Sequence, residues 1–378
     1  MRRNPGILDG NPFKLGLFGS NCSGGLAFTA VPERWVASWD NNLALAIAAD
    51  ATGLECLVPV ARWKGFGGTT NVNGTSFETI TWACGLLAAT QHINVFGTIH
   101  APMVHPIFAA KQMVTTDHVG RGRFGCNIVC GWNEDEFTMF GLKTHEHETR
   151  YAFAQEWWDV ICRVWSGASG WDFDGTFHHL RAVAGEPRPY GGRPPVMMNA
   201  GASPAGRDFA IRNSDLHFDY CRAPAESIAR IRETKERARA HGRRIQVWIP
   251  ASIVCRPSER EVSEFTRHVV ENADWEALDH NYALYTGTYG SRSRSLEETQ
   301  QHRLHNQERA VLGYGGSYSI RGTPDQVTDE LQVLHAAGFD GVAIGFVNYL
   351  EELPYFAQEV LPRLERLGLR AARTAIQP

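Results

Sequence analysis

Short apolar runs recur along this chain, and nearly every one is followed by a stretch of helical periodicity. The runs fall at residues 14–18, 54–58, 93–98, 124–130, 196–199, 216–220, 245–254 and 341–346. Each has strand length and is rich in aliphatic, β-branched or aromatic side chains. Amphipathic segments lie between or after them, at 41–52, 77–90, 106–118, 148–165, 203–212, 225–241, 323–337 and 349–367. Strands that each precede a helix pair in parallel, because a crossover helix returns the chain to the same end of the sheet. Eight such units predict a closed (β/α)8 TIM barrel, with an open doubly wound sheet as the alternative. The chain has 378 residues, a length that suits one large barrel, and no linker, repeat or low-complexity tract divides it. Residues 1–378 therefore read as a single barrel domain.

Two interruptions break the alternation. Asp174-Gly175 within 171–183 is a hairpin signal, a small excursion after the fourth barrel helix. The stretch from 272 to 319, after the seventh strand, is long for a connection, and its part at 282–319 is expected to form a lid over the site.

Composition excludes several classes. The net charge is −4 and hydrophobic residues make up 43%, so no basic face points to nucleic acid or an anionic membrane. No run is long enough to span a bilayer, and no apolar segment follows the basic N-terminus as in a secretion signal. The eight cysteines are scattered without a CxxC pair, which suits apolar filling in a reducing cytoplasm.

The motifs resolve by context. Gly120, Gly122 and Gly125 match G-x-G-x-x-G, but they leave a helix and open a strand. A dinucleotide fingerprint has the reverse order, so these glycines end the third helix and turn the chain into strand four. The Lys64-Gly-Phe-Gly-Gly68 run lacks the Walker order. It is either a tight turn or a place where backbone approaches a flat ligand. Ser203 precedes Pro204, the pattern of a helix N-cap with proline at the first helical position. Such a helix start is either a plain cap or a phosphate site. His145 and His147 are two apart on an expected helix and do not face each other, so no metal is expected there. Arg150 and Tyr151, directly after, suit either a surface ion pair or a phosphate. Asn127 lies inside an apolar strand, where an unpaired amide is costly. It either caps a neighbouring loop or is aimed at a cofactor.

The segment Gly122-Arg-Phe-Gly-Cys-Asn-Ile-Val-Cys-Gly-Trp132, followed by carboxylates, resembles the luciferase-like, reduced-flavin-dependent monooxygenases. It is most similar to the branch of the pyrimidine, dimethylsulfone and dibenzothiophene-sulfone monooxygenases. The runs GGLAFTAVPERW, KGFGG, HETRY, NAGASPAG and GTPDQV resemble segments of the same group, in the same order. The resemblance implies a barrel that binds FMN at the C-terminal ends of its strands. It implies flavin contacts at Ala61, Arg62, Asn127, Glu136, Arg150, Tyr151, Ala202 and Ser203. Arg150, Tyr151 and Ser203 would hold the phosphate, and Asn127 the polar edge of the ring. Glu136 would anchor a ribityl hydroxyl or Arg150. Thr98, Asn127 and Trp132 would form the catalytic set, with Thr98 beside the reacting oxygen, Trp132 walling its pocket and Val58 lining it. The chemistry implied is oxygenation by FMNH2 and O2, with FMNH2 supplied by a separate NAD(P)H:FMN reductase. The family also implies a homodimer or homotetramer.

The resemblance implies a small-molecule substrate such as a sulfone or a pyrimidine-like heterocycle, and a neutral one is favoured because residues 246–254 of the seventh strand lack the arginine or histidine expected near there in the alkanesulfonate branch of the family. Arg62 and Lys64 keep an anionic one open. Trp35, Trp39, Trp63 and Phe66 are candidate pocket walls. An F420-dependent oxidoreductase and a non-catalytic flavin-binding barrel are the alternative functions.

Overall fold

The computed structural model describes residues 6–131, 133–143, 147–286, 307, 313 and 317–371. Eleven strands are present among them: β1 Lys14–Phe18, β2 Cys56–Val58, β3 Asn94–His100, β4 Phe124–Val129, β5 Ser169–Asp174, β6 His179–Ala184, β7 Val196–Asn199, β8 Leu216–Phe218, β9 Gln246–Cys255, β10 Tyr318–Gly322 and β11 Gly341–Gly345. The helices alternate with them: α1 Trp39–Thr52, α2 Thr79–Ala89, α3 Pro106–Val119, α4 Glu134–Met139, α5 His147–Trp165, α6 Pro204–Asn213, α7 Pro224–Ala240, α8 Glu259–Glu271, α9 Trp275–Thr286, α10 Pro324–Ala336, α11 Tyr349–Glu359 and α12 Leu361–Arg366.

The parallel sheet runs β11-β1-β2-β3-β4-β7-β8-β9, and β9 pairs back onto β11, which closes an eight-stranded barrel. β10 was not expected. It pairs in parallel with residues 251–255 of β9, whereas β8 uses residues 246–248 of the same edge. The ten-residue β9 is thus shared, and β10 extends the barrel wall past the end of the short β8. The sequence hides it because Tyr-Ser-Ile-Arg-Gly mixes polar and apolar residues, and only Ile320 and Gly322 are buried.

Side chains alternate strictly between two cores. Phe18, Val58, Phe96, Met198, Phe218, Trp248 and Ala343 meet in one cluster, capped by Ile7. They come from seven barrel strands and fill the interior. The eighth, β4, contributes Gly125 at this level, where a Cβ would lie 2.4 Å from the Phe96 ring. The intervening residues, among them Leu15, Leu57, Val95, Ile128, Met197, Ile249 and Val342, pack outward in the larger cluster that includes helix residues such as Leu45, Leu86 and Trp157.

The excursion at 171–183 is the antiparallel pair β5–β6. Its turn is held by Glu156 of α5, whose carboxylate accepts from the backbone N–H of Thr176, Phe177 and His178 at 2.6–2.9 Å. The expected loop from 272 begins instead with α9. The expected lid at 282–319 lies largely outside the described residues. The glycines after Lys64 serve this region. Gly67 and Gly68 both have φ of 70°, and a Cβ on Gly68 would sit 2.3 Å from Asp274. Asp274 accepts from Thr70 N and Thr70 Oγ1, so the loop docks onto the start of α9. The run therefore makes a tight turn at Gly67 and Gly68. Gly120 caps α3, and Arg121 and Gly122 turn the chain into β4 in left-handed conformations, as the inverted motif predicts.

Candidate active site

Polar residues replace the apolar interior at the C-terminal end of the barrel. On β3, Thr98 and His100 lie on the same face as Phe96, one and two steps further up. On β4, Asn127 lies one step above Gly125. Thr98 and Asn127 are register partners. The Thr98 hydroxyl donates to the Pro59 carbonyl at 2.9 Å and accepts from Asn127 Nδ2 at 3.3 Å. Thr79, at the first position of α2, grips the Thr98 backbone from outside. Its hydroxyl donates to Thr98 O at 2.6 Å and accepts from Thr98 N at 3.1 Å. Asn127 is 7% exposed, and its Oδ1 has no hydrogen-bond partner among the described residues. Of the two readings of Asn127, loop capping is therefore not what the amide oxygen does.

The loop after β2 forms one wall. Asn21 clamps its base through paired bonds with Val60, Nδ2 to O at 2.8 Å and N to Oδ1 at 2.9 Å. Ala61 is half-buried and Arg62 is 4% exposed. Glu136, at the third position of α4, faces this loop. Its Oε1 accepts from Arg62 Nη1 at 3.3 Å, Trp63 N at 2.9 Å and Lys64 N at 3.3 Å. Asp135 next to it holds the Lys64 ammonium at 2.8 Å, at an exposed position. The carboxylates after β4 thus tie down the loop after β2 and neutralise its two cations. Glu136 does not reach Arg150 among the described contacts, so its contact is with the Arg62 loop rather than the helix arginine.

The second group sits at the starts of α5 and α6. Ser203 caps α6, its hydroxyl accepting from Gly206 N at 3.1 Å, with Pro204 at the first helical position. Burial raises the Tyr151 phenol above its usual range, and the nearby Ser203 hydroxyl offsets only part of the rise, so the phenol stays protonated at neutral pH. A Cβ on Gly206 would lie 2.4 Å from the Tyr151 oxygen, and one on Gly201 would lie 2.6 Å from Gly206 Cα. Only glycines let turn, helix and tyrosine come this close. Arg150 donates Nη1 to the Gly131 carbonyl at 2.9 Å, while its buried Nε has no partner among the described residues. Ala202 is exposed in the turn between β7 and α6. A protonated phenol, an arginine N–H without a partner and a helix start are the kinds of donor that an anion takes.

The remaining expectations divide. Trp132 lies outside the described residues, as does His145. Val58 is buried in the interior cluster. Trp35 is core, donating Nε1 to Ser20 O at 2.7 Å and packing edge-on to Tyr349. Trp39 packs on Gly85 and Phe77, outside the barrel mouth. Trp63 and Phe66 flank the Arg62 loop. Phe66 lies under the Arg62 guanidinium at 4.8 Å, and Trp63 is edge-on to Phe140. Sequence reasoning missed His100, Thr79 and Asn21. A histidine two residues beyond Thr98 on a strand of period two is the signal that marks the first.

Comparison with known proteins agrees with this fold. Residues 14–341 match the family described as luciferase-like monooxygenase. An FMNH2-dependent dimethylsulfone monooxygenase of Pseudomonas fluorescens (strain Pf0-1) is 29% identical over 360 residues, covering 94% of this chain and 96% of that one. A pyrimidine monooxygenase of Variovorax paradoxus (strain S110) is 24% identical, covering 93% and 94%. Among solved structures, DmoA from Hyphomicrobium sulfonivorans superposes with a TM-score of 0.82 at 18% identity, covering 97% of this chain and 90% of that one.

Proposed function

The chain belongs to the luciferase-like monooxygenase family, and from that membership and the site we infer that it is an FMN-dependent monooxygenase acting on a small uncharged substrate. We further propose that it cleaves a C–S or C–N bond in a sulfone, a pyrimidine-like heterocycle or a related compound. The observation that carries the reading is the buried Asn127 Oδ1 without a partner, directly above an apolar plug and beside the Thr98 hydroxyl. A buried acceptor of this kind costs about 1–3 kcal/mol unless something donates to it. The polar edge of an isoalloxazine, with its ring N–H, would supply that donor.

The residues present fit FMN at both ends. Arg150, Tyr151 and the Ser203 helix start would hold the phosphate, Ala202 would lie along it, and Asn127 would orient the ring. Bound reduced FMN supplies the electrons that activate O2. Thr98 holds a hydroxyl at a fixed place in the mouth, because its backbone is gripped by Thr79 and its side chain by Pro59 and Asn127. Such pre-positioned donors favour charge that develops on a nearby oxygen. The interior plug of Phe18, Phe96, Phe218 and Trp248 excludes water from below. Glu136 and Arg62 form the wall and Ala61 its turn.

A neutral substrate fits the charge balance of the mouth. Arg62 is paired with Glu136 and Lys64 with Asp135. On β9 the residue on the Trp248 face at this height is Ser252, an uncharged hydroxyl. We propose that a separate NAD(P)H:FMN reductase delivers the reduced flavin and that the protein works as a homodimer or homotetramer. The test is oxygen consumption with FMNH2 and a panel of sulfones and pyrimidines. Substrate-dependent product formation with coupled oxygen uptake supports the reading, and oxygen uptake that ignores every substrate opposes it.

A further inference from the structure

His100 is the last residue of β3, on the same face as Thr98 and about 7 Å further toward the rim at roughly 3.3 Å per residue. It is 5% exposed. It stands at the N-cap of the 3-10 turn Ala101–Met103, but its side chain makes no capping bond. Its ring makes no hydrogen bond among the described residues.

The charges near the imidazole are those of the mouth wall. Arg62 is the one that acts on it, with Glu136 neutralising that guanidinium. Burial, with a smaller push from Arg62, lowers the ring to about 4. At neutral pH it therefore has one N–H donor and one bare nitrogen. Neither ring nitrogen is among the sealed polar atoms without a partner, so a group entering the mouth can meet them.

Building on the functional reading above, we propose that His100 is the specificity-determining residue of the mouth, donating its ring N–H to an acceptor oxygen of the S=O or C=O type on the substrate. An uncharged imidazole suits an uncharged acceptor. A carboxylate or sulfonate would instead want a free cation, and Arg62 and Lys64 are both held by carboxylates. His100 thus supplies the substrate's polar anchor, while Thr98 and Asn127 face the flavin.

The test uses the FMN-loaded protein and three probes, dimethyl sulfone, dimethyl sulfoxide and uracil, each titrated while the flavin spectrum is followed. Wild type is expected to bind at least one probe saturably. His100→Leu should weaken that binding by about ten-fold or more, the worth of one buried hydrogen bond, with FMN affinity within about two-fold of wild type. His100→Gln, which keeps an N–H, should recover part of the loss. Equal probe affinity in His100→Leu overturns the proposal, as does parallel loss of FMN and probe, which would mark a structural or cofactor role. Failure of all three probes to bind wild type overturns it too. Failure of wild type to bind FMN overturns the functional reading itself, and this inference with it.

Discussion

Glu136 offers the sharpest energetic test of how the site is built. Its carboxylate is buried, with 1% side-chain exposure, and so is its partner Arg62. One oxygen accepts three bonds, from the guanidinium and from the backbone N–H of Trp63 and Lys64. All three bonds are to a charged carboxylate, and such a bond contributes about 1.5–3 kcal/mol. Two of the three are long, at 3.3 Å, so the low end applies and the sum is about 4 kcal/mol. Removing one partner of a buried pair costs about 3–5 kcal/mol by an independent route, because the other charge is left stranded. Glu136→Ala should therefore lose about 4 kcal/mol in urea unfolding followed by circular dichroism. Glu136→Gln keeps an acceptor for the two backbone donors and should lose less. Adding Arg62→Met to Glu136→Ala removes the stranded cation and should restore part of the stability. A loss below about 1 kcal/mol in Glu136→Ala, or no recovery in the double variant, would refute the view that this carboxylate holds the wall together.

Other outcomes follow from the same geometry. Arg150→Ala should weaken FMN binding by about ten-fold or more while leaving the unfolding midpoint near wild type, as checked by fluorescence titration. Thr98→Val should leave FMN affinity intact and suppress product formation, which a turnover assay beside a binding titration separates. Because burial lowers His100 from 6.5 to about 4, the folded state binds fewer protons than the unfolded state between those values. That stability is fully present above about pH 6.5 and is lost as pH falls toward 4, by about 3 kcal/mol in all. His100→Leu should flatten this slope in a series of urea titrations from pH 4.5 to 7. Ser203→Ala should cost about 1 kcal/mol as a lost helix cap and weaken FMN binding as well.

The barrel was legible because its code is local. Strands such as 14–18 and 196–199 announce themselves as apolar runs of the right length, and both are observed with those bounds. Ser203-Pro204 is a cap written in two adjacent residues, and the Asp174-Gly175 signal found its hairpin. What stayed hidden depends on contacts distant in sequence. β10 is a strand only because the second half of β9 offers it an edge, and its residues alone do not say so. Glu136 could be placed near the flavin from resemblance, but its true neighbours lie 72 to 74 residues away in the loop after β2. What the glycines at 67 and 68 pack against was hidden until His280 was seen beside the first and Asp274 beside the second. His100 was passed over because a lone histidine is ordinarily a satisfied one, and only the lack of a hydrogen bond to its ring among the described residues distinguishes it.

The account stands on the claim that this mouth binds reduced FMN and uses it on oxygen. The most direct measurement is anaerobic titration of the purified protein with FMNH2, followed by mixing with oxygenated buffer while absorbance is recorded. Saturable binding, then flavin reoxidation that passes through an oxygenated species far longer-lived than free flavin allows, is the predicted result. No binding, or reoxidation at the free-flavin rate, would contradict the claim and direct attention to a deazaflavin or to a non-catalytic barrel.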